Sequence, residues 1–326
     1  MFKRKAHKIH KENSISKLFS LLIGNHKQWI YIRGEDQKKP VLLMVHGGPG
    51  AAQIGFIRKF QKEFEKHFVV VNWDQRGSGL SFHKNIAAET MTIDRFVDDT
   101  IELTNYLRKQ FKQERIYLIG HSWGTIIGLL AIHKEPSLFY RYFGVAQLIN
   151  YMEGEQLSYK YVLEKAQQEN NQKAIKKLLE IGMPPWNNLK HDKVHQQFLE
   201  VFRGGISHDG KLITKMIKEM LISVEYSFVD MINHIKGQFF SMKMLQDELK
   251  TVNLNNVVRE VIVPIYFCMG RHDLTIPYEP TLTFFNNVVA TEKNWIWFEH
   301  SAHSPMFEER EKFLELILNE TQKDRC

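Results

Sequence analysis

The run Ile116-Tyr117-Leu118-Ile119-Gly120-His121-Ser122-Trp123-Gly124-Thr125-Ile126-Ile127 constrains this chain more than any other. A β-prone apolar stretch ends in Gly-His-Ser-Trp-Gly and passes at once into an apolar helical stretch that reaches His133. A strand that turns so sharply into a helix leaves no room for side chains two residues either side of its centre, so glycine is needed at 120 and 124. The central residue, Ser122, is then held at the mouth of a sheet beside the helix N-terminus. Strand–turn–helix units of this kind belong to α/β folds with a parallel sheet. Ser122 is therefore the candidate nucleophile.

The rest of the chain agrees with that architecture. From 28 to 147, strand-like runs (Trp29–Arg33, Val41–His46, Phe68–Trp73, Ile116–Gly120, Tyr142–Val145) alternate with helical spacing at Ile54–His67 and Ile93–Phe111. Runs such as VLLMVH and FVVVNW are apolar without alternation, as in strands buried on both faces. Asp94 is suited to cap the second helix. From 148 to 256 the texture becomes helical (Val162–Ile181, His195–Phe202, Leu212–Leu221, Met231–Leu249), which predicts an all-helical insertion over one edge of the sheet. Strand signal returns in VIVPIYFCMG and NWIWFEH, followed by a closing helix, Glu309–Leu318. The core domain is thus expected over 28–147 and 257–326.

Charge and cysteine content exclude several classes. Of 44 Lys/Arg and 37 Asp/Glu, residues 1–40 hold ten and three, leaving 34 of each sign elsewhere. A body neutral by count is not a dedicated nucleic-acid surface. The excess sits on a basic arm, 1–27, whose simplest reading is a solvated terminus able to touch an anionic membrane weakly. Ile15, Leu18, Phe19 and Leu22 have the spacing of an amphipathic start to the first strand. No small-x-small cleavage site follows, so secretion is not expected. No run approaches the ~18 apolar residues a spanning helix needs. Two cysteines, Cys268 and the terminal Cys326, form no disulfide framework, and a reducing, cytoplasmic setting follows.

A serine needs a base, and the base an orienting acid. In this fold class they follow in the order Ser, Asp or Glu, His. Asp273 lies just past PIYFCMG, at a strand's C-terminal end, where open α/β sheets put their sites. His303 lies in the loop SAHSP after NWIWFEH. His300 and His272 compete, but His300 ends the strand itself whereas His303 has small neighbours and a loop setting. Donors for a developing oxyanion are expected from the backbone N–H of Trp123 and from Gly47 in His46-Gly47-Gly48-Pro49-Gly50. Asp74-Gln75-Arg76-Gly77-Ser78-Gly79 lacks the spacing and lysine of a phosphate loop and reads as a structural tie.

HGGPG, DQRGSGLS and GHSWGT, in that order, resemble the proline iminopeptidase branch of the α/β-hydrolase superfamily, and GRHD and SAHSPMFEE resemble its C-terminal half. The resemblance covers about 28–147 and 257–320. It implies Ser122 as nucleophile, Asp273 as acid, His303 as base, and backbone donors at Gly47 and Trp123, and it implies that the helical insertion, 148–256, is a cap. The chemistry needs no metal or organic cofactor, and the histidines form no H-E-x-x-H cluster. Two departures bear on specificity. His121 stands where the branch usually has glycine, which is the pattern of general esterases. The W-x-x-W-E segment that often supplies amine-binding glutamates is absent, and Glu200, Glu219 and Glu225 are candidate stand-ins, none singled out by its neighbours. The expected activity is that of an aminopeptidase acting on short peptides. A carboxylesterase is the alternative, and a non-catalytic binding protein on the same scaffold is the third.

Overall fold

The structure is a computed structural model and describes residues 4–325. In chain order its elements are β1 (Ile15–Ile23), β2 (His26–Gly34), β3 (Val41–Val45), α1 (Arg58–Gln61), β4 (Val69–Asp74), α2 (Ile93–Phe111), β5 (Ile116–His121), α3 (Trp123–Lys134) and β6 (Phe139–Val145). Five helices follow: α4 (Tyr151–Gln168), α5 (Gln172–Ile181), α6 (Leu189–Val201), α7 (Leu212–Leu221) and α8 (Phe228–Leu249). The chain closes with β7 (Glu260–Val261), β8 (Ile265–Gly270), α9 (Tyr278–Asn287), β9 (Val289–Ala290), β10 (Lys293–Phe298), α10 (Pro305–Glu308) and α11 (Arg310–Gln322).

Eight strands make one sheet in the order β1-β2-β4-β3-β5-β6-β8-β10. The six from β4 to β10 run parallel, while β2 is antiparallel to β4 and to β1. The unalternated runs explain themselves here. In β3, Val41, Leu43 and Val45 face α2 and α3, meeting Phe96, Leu103, Ile126 and Leu129. Leu42 and Met44 point the other way, toward Phe60, Phe313 and Ile317 of α1 and α11. Both faces are therefore dry, and each such side chain contributes about 1.5–3 kcal/mol by burial. Strand order reverses around β3 and β5, which opens a crevice at their C-terminal ends.

Several local expectations are corrected. Residues 15–23 are a nine-residue strand paired throughout with β2, so the helical spacing of Ile15, Leu18, Phe19 and Leu22 is incidental. Ile15, Phe19, Leu21 and Ile23 share one face of the sheet, a period of two rather than 3.6. The start of the arm is not free either. Arg4 pairs with buried Asp230, the Lys5 N–H reaches the Val224 carbonyl at 3.1 Å, and the His7 carbonyl accepts from Arg33 and Ser16. Ile54–His67 yields only α1 and a short 3-10 turn. Thr92, not Asp94, caps α2, its side chain accepting from the Arg95 N–H, while Asp94 sits in the first turn. The stretch Val162–Ile181 breaks between α4 and α5, where Asn170 is left-handed and Asn171 caps the next helix. Pro264 divides VIVPI into β7 and β8, and α9 is an element the sequence pattern does not announce. Cys326 lies outside the described residues, and Cys268 is a buried free thiol. Among the described residues no helix is long and apolar enough to cross a membrane.

DQRG is the structural tie expected of it. Asp99 on α2 is fully buried and accepts from Arg76 at 3.0 and 3.1 Å, from Gln28 at 2.7 Å and from Arg95 at 2.8 Å. Arg76 also reaches the Gly24 carbonyl at 3.0 Å, so the β4 loop, the β1–β2 turn and α2 share one charged knot. Removing one partner of such a buried pair leaves the other charge stranded. Asp99→Ala is expected to lower stability by about 3–5 kcal/mol in urea unfolding, far more than the same substitution at its neighbour Asp98, whose pairing with Lys134 is open to solvent.

Candidate active site

The turn at Ser122 is strained as its sequence demands. Ser122 adopts φ 53° and ψ −121°, between β5 and α3. A Cβ on Gly124 would sit 2.2 Å from the Val45 carbonyl oxygen, and one on Gly120 2.6 Å from that of Gly124. Only glycine allows β3, β5 and α3 to converge here. The Ser122 N–H donates to the Val145 carbonyl at 2.9 Å, and its own carbonyl accepts from the Thr125 N–H at 2.8 Å. Its side chain is left half-buried at the C-terminal edge of the sheet.

Asp273 and His303 meet across the loops after β8 and β10. His303 Nδ1 donates to Asp273 Oδ2 at 2.9 Å, with both side chains almost wholly buried. The second carboxylate oxygen accepts the N–H groups of Thr275 at 2.8 Å and Ile276 at 2.9 Å, which fixes the carboxylate's orientation. His300 and His272 do not compete for this place. The His300 N–H is bound by Glu309, and the His272 ring stacks on His208 at 3.7 Å. The Ser122 hydroxyl makes no hydrogen bond to His303 among the described residues. His121 joins the two loops instead. Its Nε2 donates to the His303 carbonyl at 2.9 Å, and the two rings lie 5.0 Å apart. Burial, and next the neighbouring His303, hold the His121 pKa down to about 3, so this imidazole stays neutral and its buried Nδ1 lacks a partner.

Gly47 stands directly over the serine, for a Cβ built on it would lie 3.2 Å from Ser122 Cβ. Neither the Gly47 nor the Trp123 N–H is bound to a protein acceptor among the described residues. Gln75, the second residue of the DQRG tie, braces both. Its amide nitrogen donates to the His46 carbonyl at 2.9 Å, and its amide oxygen accepts from the Trp123 indole at 3.0 Å. Its backbone N–H meets His46 Nε2 at 3.2 Å, while His46 Nδ1 donates to the Gly47 carbonyl at 2.8 Å. Burial pushes the His46 pKa down to about 4, which keeps that ring neutral as well.

The helical stretch closes over these loops. Gly50 lies so near α8 that a Cβ would be 2.8 Å from Gln238 Cα, and Ser241 donates to the Gly77 carbonyl at 3.1 Å. The Gly204 carbonyl after α6 accepts from the Leu274 N–H at 3.0 Å, and that of Gly205 from the His303 N–H at 3.2 Å. The three glutamates considered earlier are otherwise engaged. Glu200 accepts the Ile206 N–H at 2.7 Å. Glu225 is buried against the Tyr31 hydroxyl at 2.6 Å and Ser223 at 2.8 Å. Glu219 sits among Lys215 and Lys218 on a surface cleft beside α11. Two other acids are less fully engaged. Glu155 on α4 is pushed up to about 8, first by burial and then by Asp192 on α6, whose own pKa burial raises although His191, Lys250 and its own backbone N–H oppose the shift. Glu155 lines a small cavity with Leu148, Ile276 and Pro277, and Ile276 is three residues beyond Asp273. No local pattern joins residues on two separate helices, so the pair is invisible in the sequence. Among the described residues, no group of three or more His, Cys, Asp or Glu is arranged to hold a metal ion.

Comparison with known proteins covers nearly the whole chain. The model of the family described as "Serine aminopeptidase, S33" matches residues 36–310. The chain belongs to that family. It is 40% identical over 307 residues to a probable aminopeptidase, YbaC, of Bacillus subtilis (strain 168), covering 94% of this chain and 96% of the relative. It is 26% identical over 301 residues to a proline iminopeptidase of Clostridioides difficile (strain 630), covering 89% and 93%. Among solved structures, a proline iminopeptidase-related protein of Thermus thermophilus superposes with a TM-score of 0.63 at 20% identity, covering 93% of this chain and 96% of that one. The fold is that of the α/β hydrolases.

One titration under the site is directly readable. Asp74, at the end of β4, is fully buried and accepts from the Tyr226 hydroxyl at 2.5 Å and the Leu80 N–H at 2.9 Å. Burial pushes its pKa from 3.8 to about 7, although those hydrogen bonds oppose the shift. A raised pKa means that the folded state holds the proton more tightly than the unfolded chain. The stability Asp74 contributes is therefore complete below pH 3.8 and is lost as pH rises to and through about 7. Asp74→Asn is expected to flatten this part of the curve of melting temperature against pH, measured between about pH 4 and 8.

Proposed function

We propose that this chain is a serine hydrolase that removes N-terminal residues from short peptides through an acyl-enzyme. Ser122 attacks the carbonyl carbon of the scissile amide while His303 Nε2 takes its proton. Asp273 holds the imidazole by Nδ1–H and stabilises the imidazolium that forms. The Gly47 and Trp123 N–H groups receive the oxyanion. His303 returns its proton to the leaving amine, then activates the water that cleaves the ester at Ser122. The carrying observation is the 2.9 Å contact of buried His303 and Asp273 in the loops beside a serine strained at φ 53°. The helical stretch 148–256 serves as the cap that shapes the substrate site.

Amide cleavage next to a free amino group is favoured by the relatives named aminopeptidase and proline iminopeptidase. The chemistry of the cap favours it too. Burial and then Asp192 raise the cost of ionising Glu155, no salt bridge within 4 Å reaches either carboxylate among the described residues, and the attraction of His191 and Lys250 acts on Asp192 alone. A substrate ammonium is what such a pair lacks. We assign the amino-group subsite to these two acids in place of Glu200, Glu219 and Glu225.

The test is kcat/KM on a prolyl anilide and on a short-chain nitrophenyl ester. Ser122→Ala is expected to lose about 10⁴-fold or more on both, and all labelling by a fluorophosphonate, while retaining its fold. Ester turnover without anilide turnover would assign the chain to the carboxylesterases. Unlabelled Ser122 in folded protein would leave only the binding-protein reading. Glu155→Gln is expected to lower kcat/KM on the anilide about tenfold, the worth of one charge-assisted bond, and to leave the ester rate unchanged. Equal loss on both substrates would remove Glu155 from the amino-group subsite.

A further inference from the structure

The surface of α7 and α8 carries apolar side chains left largely open to solvent. On α7, Ile213, Ile217 and Leu221 recur every fourth residue and are 37%, 54% and 66% exposed. On α8, Phe228, Ile232, Ile235 and Phe239 form a second stripe at helical spacing, Phe228 being 76% exposed. The inner faces of the same helices are used in the core, through Leu212 and Met216 on α7 and Leu245 on α8. Each helix is thus apolar on two sides, which a helix serving only this core does not need. The two stripes meet at the α7–α8 junction, where Ile222, Val224 and Val229 are exposed as well.

Charge decides what fits this surface. Between 211 and 243 the exposed charges are Lys211, Lys215, Lys218, Lys236 and Lys243. Against them stands only the half-buried Glu219, because Glu225 and Asp230 are buried and paired. Lys215 is 3.4 Å from Asp209, and Lys193 lies 4.8 Å over the Phe239 ring. The basic arm arrives at the same place. Arg4 forks onto Asp230 at 2.5 and 3.0 Å, and the Lys5 N–H is bound by Val224, which brings exposed Lys5 to the apolar junction. A second copy packed through this face would bring one lysine-rich face against another. An anionic bilayer offers apolar depth beside negative headgroups, which suits an apolar stripe flanked by lysines that extend outward.

We infer that α7, α8 and the N-terminal arm form a docking surface for an anionic membrane, bound peripherally through apolar insertion and lysine–headgroup attraction. The full chain should co-sediment with vesicles of equal phosphatidylglycerol and phosphatidylcholine in about 0.05 M salt, and at least tenfold less in about 0.5 M salt or with phosphatidylcholine alone. Phe228→Ser with Ile232→Ser should remove most of the binding. Lys215→Glu with Lys218→Glu should weaken it about fivefold or more per lysine, and its surface positions make misfolding no explanation. Circular dichroism of each variant checks the fold. Absence of the natural chain from anionic vesicles would overturn the inference. So would binding that both double variants retain. A dimer by light scattering that Phe228→Ser dissociates, without vesicle binding, would give the face to a second copy instead.

Discussion

Backbone touching backbone at the end of β5 is the constraint on which the rest of the site depends. The Val45 carbonyl occupies the space a side chain on Gly124 would need, and the Gly124 carbonyl that of one on Gly120. Because α3 can start this close to β3, the loop after β3 lies over Ser122 rather than beside it. Gly47 is then within van der Waals reach of the serine. Strain at Ser122, worth about 1–3 kcal/mol, persists because two strands and a helix leave its backbone no alternative. The sheet supplies that rigidity through two dry faces, so its fully apolar strands serve the site as much as the core.

A second layer holds the loops to one another. Gln75 bonds both the HGGPG loop and the Trp123 indole, so the two backbone N–H groups above the serine are referenced to one side chain. The next residue, Arg76, ties the same turn to Asp99 on α2. His46 and His121, both buried, sit where their pKa values fall to about 4 and about 3. They act as neutral hydrogen-bonding struts near physiological pH. Among the imidazoles at this end of the sheet, His303 is the one bonded to a carboxylate, which distinguishes it from its neighbours by physical setting alone.

The parts legible in the sequence are those whose chemistry is local. The elbow is written in five consecutive residues, and the buried parallel strands in unbroken apolar runs. Asp273 and His303 are legible because each follows its own strand. Elements decided by distant partners are not legible. The strand Ile15–Ile23 has residues at both periods, and only pairing with β2 chooses between them. The cap of α2 falls to Thr92 because its extended backbone aims its hydroxyl at Arg95, a geometry Asp94 inside the helix does not have. Gln75 lies in the DQRG motif, which marks a tie without naming what its side chain bonds. Its importance arises where three loops converge, and convergence is a property of the fold. The acid pair on α4 and α6 likewise joins residues 37 positions apart in the chain.

The helical stretch and the sheet divide the requirements of an enzyme differently. Loops after β3, β4, β5, β8 and β10 are locked by backbone contacts and buried polar ties, and substitution there has few tolerated outcomes. The helices α4, α5 and α6 share a separate core of Tyr159, Val162, Leu178, Trp186 and Phe198. They touch the loops of Asp273 and His303 through the carbonyls of Gly204 and Gly205 and through the Ser158 hydroxyl, which donates to the Leu274 carbonyl. Contacts that end on the main chain fix position while prescribing few side chains, Ser158 being one. The inward face of the helices is therefore free to change its charge while the loops of Ser122, Asp273 and His303 hold still. The amino-group subsite proposed at Glu155 and Asp192 fits within that freedom, and so does the apolar, lysine-edged outer face of α7 and α8. On these two proposals chemistry and address vary independently, because α4 and α6 carry the one and the outer faces of α7 and α8 the other.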